Sequence, residues 1–111
     1  MRMNKDELAS LGPKIRIAIK AGQQAAEACQ NDGGSANLDR VVIPMPGVRE
    51  AAVISSGLPG YLSKANTYHS RGLHLGAPFG GQGNRRYAGV QAMHRSLQGQ
   101  AVDCYVYYQI D

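Results

Sequence analysis

The segment that most constrains the fold is the C-terminal run Ala101–Ile110, where Val102, Cys104, Val106, Tyr108 and Ile110 alternate with Asp103, Tyr105, Tyr107 and Gln109. A period of two is that of a β-strand with one apolar face. Its centre, Val102 to Tyr107, combines high β-propensity with a single charge, and an open edge of that kind invites aggregation. The strand is therefore expected to pair on both sides or to be completed by a second subunit, which makes a homo-oligomer the expected state. The run Val41-Val42-Ile43, closed by Pro44 and Pro46, supplies a second, buried strand within 38–43.

Two helices accompany these strands. Asn4 and Glu7 have the spacing of a capping box, which predicts a short helical turn ending near Gly12. Pro13 then suits the first turn of a longer helix to about Gln30, with Arg16, Lys20, Gln23, Gln24, Glu27 and Gln30 on its polar stripe, isoleucines and small apolar residues elsewhere, and Gly33 and Gly34 as the stop. Asn84 is the expected N-cap of a helix from Arg85 to Gln98, whose apolar positions are Tyr87, Val90, Met93 and Leu97. Residues 51–55 fit a strand or a short helix equally. Seven glycines fall between Gly57 and Gly83, and this segment reads as a long loop with Leu73–Leu75 as its one strand. The sum is a single α+β domain over residues 1–111, helices packed on a small sheet in two layers.

Aromatic residues are 6% of the chain and Trp is absent, so the core must be aliphatic. No apolar run reaches the roughly 18–20 residues of a membrane span, and the first residues lack the pattern of a secretory signal. The expectation is a cytoplasmic protein with no membrane role. Cys29 and Cys104 lie in unrelated contexts and are expected to be reduced, buried hydrophobes.

Charge is unevenly placed. The chain carries twelve Lys and Arg against eight Asp and Glu, a net charge of +4, yet residues 51–102 contain no acidic residue at all. Lys64, Arg71, Arg85, Arg86, Arg95 and all three histidines lie in that half. Such asymmetry favours an anionic partner, a nucleic acid or a phosphorylated ligand, although net charge of this size also serves solubility.

Within the basic half, Gly76–Arg86 runs from a glycine-rich turn into a helix start. Gly80, Gly81, Gly83 and Asn84 can converge backbone N–H groups on an anion, and Arg85 and Arg86 can fork onto its oxygens, with Arg71 and Arg95 as further contacts. The spacing matches neither a P-loop nor the dinucleotide fingerprint. Tyr68, His69 and His74 suggest a second candidate, a small pocket under the 57–83 loop, in a ligand-binding protein or a small enzyme. The histidine spacings do not suit a structural metal, and no nucleophile motif is present, so no cofactor, metal or catalytic residue is assigned. Tyr105 and Tyr107 share a strand face, as in modules that stack single-stranded nucleic acid. Asp103 and Asp111 beside them oppose a phosphate backbone, which favours core or subunit-interface packing for this pair. The leading expectation is a non-enzymatic binding module for an anionic partner. The other readings are the pocket protein and a self-associating or partner-inhibiting accessory protein of a mobile element.

Overall fold

The computed structural model describes residues 4–30, 33, 37–77 and 83–109. The element order is α1 (Lys5–Ala28), β1 (Arg40–Pro44), α2 (Glu50–Ser55), β2 (Tyr61–Ser63), β3 (Gly72–Leu75), α3 (Asn84–Gly99) and β4 (Tyr105–Tyr107). The four strands form one antiparallel sheet in the order β2-β3-β1-β4. This is an α+β fold, and from β1 onward its connectivity is that of a split β-α-β unit. The helical layer departs from that unit: α2 is too short to cover a sheet, and α1 pairs with α3 in the most extensive contact between any two elements.

The helix at the start is continuous. Pro13 lies inside α1 rather than at the start of a second helix, which corrects the expected break near Gly12. Pro13 removes the N–H that would bond the carbonyl of Ala9, but both residues are exposed, so water can take that carbonyl. Leu8 and Leu11 before the proline and Ile15 and Ala18 after it are buried, so burial of one stripe spans the defect. The capping box forms as expected: Glu7 N donates to Asn4 Oδ1 at 2.8 Å and Asn4 N to Glu7 Oε1 at 3.3 Å.

The register separates two faces. Val41 opposes Leu75 and Val106, and Ile43 opposes Leu73, which in turn opposes Leu62. These side chains meet Leu8, Leu11, Ile15, Val90, Met93 and Leu97 in the core, together with Met45 and Val48 from the turn after β1. The opposite face carries the row Tyr61, His74, Val42 and Tyr105, with Arg40 opposite Tyr107 beside it.

Residues 51–55 resolve as helix, where Val53 is the buried residue. The 57–83 segment holds a hairpin, β2–β3, instead of one strand in a loop. Gly60 makes the start of that hairpin possible: its φ is +92°, and a Cβ there would run into the backbone oxygen of His74. Gly72 leaves room for Val42, whose Cγ1 would lie 2.6 Å from an added Cβ.

The last strand is an edge, joined to β1 alone among the described strands, which corrects the expected central position. It is three residues long, and a short edge offers little to a foreign strand. Helix α3 lies against its start, where Cys104 Sγ donates to the carbonyl of His94 at 3.9 Å. Both cysteines are free and half-buried, not fully buried, because each falls just outside a regular element: Cys29 caps α1 and Cys104 precedes β4. Burial, then Asp103, pushes the Cys104 thiol up to about 11, which leaves it unreactive at neutral pH.

Gly60→Ala should destabilise the fold by about 2 kcal/mol or more, since it adds a left-handed strain to a backbone clash. Gly99→Ala, at the end of α3 with open space around it, should be neutral or slightly stabilising. Urea unfolding of the two variants measures the contrast, and equal effects would contradict the placement of Gly60.

Candidate functional site

The glycine-rich turn expected to hold an anion is tied into the protein where it is described. Gly80 and Gly81 lie outside the described residues. Gly83 is the N-cap of α3, a role expected of Asn84, and its carbonyl accepts from Asn37 Nδ2 at 3.1 Å and from Tyr87 N at 2.9 Å. Asn84 N donates to the carbonyl of Gly33 at 2.9 Å. Arg85 reaches the carbonyl of Cys29 with Nη2 and Nε at 3.3 and 3.4 Å, placing a cation at the C-terminal end of α1. Arg86 forks onto the carbonyl of Asp39 with Nη2 and Nε at 2.9 and 3.1 Å. Arg71 donates to the carbonyl of Val48 at 2.9 Å, and Arg95 stands exposed on α3. Three of the four guanidinium groups expected to meet an anion therefore staple neighbouring segments together.

The open face of the sheet gathers the remaining candidates. Arg40, Tyr61, Ser63, Asn66, His69, Ser70, His74, Tyr105 and Tyr107 line a shallow cavity of about 270 Å³, with no carboxylate among them. The fold brings His69 and His74, read as pocket residues, together with Tyr105 and Tyr107, read as packing or interface residues. Tyr68, placed with the histidines in the sequence reading, is 88% exposed and outside the cavity. His94, on α3, is apart from the other two histidines; its Nε2 lies 3.4 Å from the carbonyl oxygen of Cys104.

The rings form a connected set. Tyr61 stacks on His74 with centroids 4.7 Å apart, His69 stacks on Tyr105 at 5.1 Å, and His74 meets Tyr107 at a tilt with centroids 6.3 Å apart. The guanidinium of Arg40 lies over the Tyr107 ring, 4.7 Å from its centroid. Beneath them Val42 is fully buried, although it faces away from the helices. The loop that delivers His69 is shaped by Asn66, whose Oδ1 accepts from the N–H groups of Tyr68 and His69, both at 2.8 Å.

His74 is 8% exposed, and its Nδ1 lies 2.9 Å from Arg40 Nε. Burial, then the charge of Arg40, then His69, lowers its pKa from the ordinary 6.5. It is neutral at physiological pH. Burial and the neighbouring Tyr107 raise the pKa of the Tyr105 phenol, so it too stays uncharged.

Arg40, Tyr61, Ser63, Asn66 and Ser70 escaped the sequence reading. For Arg40 the signal was present: it alternates with Val42 in a strand whose other residues are apolar. Tyr61 gave no local signal, since β2 is three residues inside a glycine-rich segment.

No family model matches the chain, and no curated protein or solved structure was found to be similar to it.

Arg86→Ala should destabilise the protein by about 1–3 kcal/mol, because the carbonyl of buried Asp39 loses a charge-assisted fork. Equilibrium denaturation checks this. His74 gives a second expectation. Its folded pKa lies below its unfolded one, so the unfolded state binds more protons in that window and stability falls as pH drops below about 6.5, by at most about 1.4 kcal/mol per pH unit. His74→Gln should flatten the difference in stability between pH 7.5 and pH 5.5.

Proposed function

We propose that this protein is a non-enzymatic binding module that takes single-stranded nucleic acid on the open face of its sheet. The observation that carries the reading is the ring set itself: Tyr61, Tyr105, Tyr107 and two imidazoles on one sheet face, around a cavity with no carboxylate among its described lining residues. Aromatic rings on an uncovered sheet stack bases, at about 1–3 kcal/mol per base, and do so whatever the sequence of the strand. Tyr61 is 56% exposed and Tyr107 is 38% exposed, so both present ring surface to a ligand.

The charge pattern supports the same reading from another direction. Lys64 is exposed on the loop after β2, and Arg40 lines the cavity. Asp103 is exposed beside the strand but is not part of the lining. The Gly76–Arg86 turn is less suited to be the primary anion seat, since Arg85 and Arg86 would have to abandon two carbonyls to serve a phosphate. Binding is preferred over catalysis because His74 is not a base here: its one lone pair accepts from Arg40.

Fluorescence anisotropy with labelled single-stranded DNA and RNA tests the proposal. Both should bind at low salt, more tightly than a duplex of equal length, with affinity falling as salt rises. Tyr61→Ala and Tyr107→Ala should each weaken binding by roughly five- to a hundredfold. Arg16→Ala with Lys20→Ala, which removes two exposed charges from α1, should cost less than either. Absence of binding at low salt would end the proposal, and losses that track only net charge would replace a defined site with a diffuse field.

A further inference from the structure

Among the described residues Arg40 is the one cation that lines the cavity whatever the pH, and a phosphate contact is the role its charge first suggests. Its geometry says otherwise. Nη1 donates to the carbonyl of Leu38 at 3.0 Å and to Gln109 Oε1 at 2.8 Å, Nε donates to His74 Nδ1 at 2.9 Å, and the guanidinium plane rests over Tyr107. The group is thus held from the chain before β1, from β3, from β4 and from the chain after β4 at once. Turning its fork onto a phosphate would break these contacts together.

Its effect on His74 follows from proton counting. An arginine Nε can only donate, because the guanidinium is never deprotonated in a protein. His74 Nδ1 must therefore accept, and a neutral imidazole that accepts at Nδ1 carries its proton at Nε2. Among the described residues no protein group takes that N–H, and no buried side-chain nitrogen or oxygen is left without a partner. Nε2 therefore reaches the surface of the cavity that His74 lines. Among the described residues the groups facing the imidazole are Tyr61 from β2, Arg40 from β1, Tyr107 from β4 and His69 from the loop before β3, and none of them is a carboxylate that would compete for the donor.

We infer that Arg40 is a positioning residue: it sets the tautomer of His74 so that the Nε2–H stands as a neutral donor to an acceptor atom on a base held in the cavity. The identity of the ligand rests on the nucleic-acid reading above, whereas the tautomer does not. A neutral donor releases no counterions, so its contribution is the same at every salt concentration, and a phosphate contact would add about one to the slope of log affinity against log salt.

The test joins two measurements on the full chain. Nitrogen-15 NMR of the histidine rings in the free protein at neutral pH should show His74 protonated at Nε2 and bare at Nδ1. Anisotropy titrations of Arg40→Met, which removes both the charge and the donors, against the same oligonucleotide over a range of salt should show affinity reduced about tenfold at every salt concentration, with the slope unchanged. His74→Phe keeps the ring against Tyr61, removes the donor and should reproduce that parallel loss, so the inference stays testable if Arg40→Met folds poorly. A proton on Nδ1, or a slope that falls by about one in Arg40→Met, overturns the inference even where the oligonucleotide binds. The stated tautomer with no oligonucleotide binding by the parent protein overturns the ligand half together with the nucleic-acid reading and leaves Arg40 as the group that sets His74.

Discussion

Sealing a strand on both faces requires two different covers, and most of this structure is the provision of those covers for β1. Val41, Val42 and Ile43 are all within 1% of full burial. Val41 and Ile43 lie under the helices, in a core of aliphatic side chains that α1 and α3 complete. Val42 points the other way, opposite His74 and Tyr105 in the register, on the face where rings from β2, β3, β4 and the loop before β3 gather. The hydrophobic effect is satisfied twice, once by a packed layer and once by a thin aromatic sheath. A layer of tyrosine and histidine has a wet outer side, and that side is the surface on which the proposed binding rests.

Four of the twelve basic side chains are spent on architecture. Arg85 and Arg86 bind carbonyls at the end of α1 and the start of β1, Arg71 binds the turn after β1, and Arg40 binds His74 and the chain on either side. Arginine suits this work because its planar fork engages an oxygen with two donors and its charge persists at any pH. The consequence for function is that net charge draws an anion toward the basic half without saying where it settles. The proposed site therefore rests on the groups that remain unengaged on the ring face, its neutral imidazole among them, rather than on net charge.

Much of the architecture was legible in the sequence. Alternation placed Tyr105 and Tyr107 on one face and Val106 on the other, the β-branched run marked β1, the capping box marked the start of α1, and the apolar spacing from Val90 to Leu97 marked α3. Each of these is a local signal whose physical cause lies within a few residues. What failed locally also has a cause: the proline in α1 was overridden by burial of the stripe on both sides of it, and β2 lacks the length to show a period at all.

The sequence by itself determined that helices and strands would form one α+β domain, and which side chains share a face of each element, because backbone sterics and periodicity act over short range. Only the tertiary structure decided that β4 is an edge, that α1 rather than α2 fills the helical layer, and that Arg40, Tyr61, His69, His74, Tyr105 and Tyr107 meet. Those six residues come from four strands and a loop, and their meeting is set by strand order and register. Strand order is a property of the whole sheet, fixed by which pairings bury the most apolar surface together, and no stretch of sequence shorter than the domain contains it.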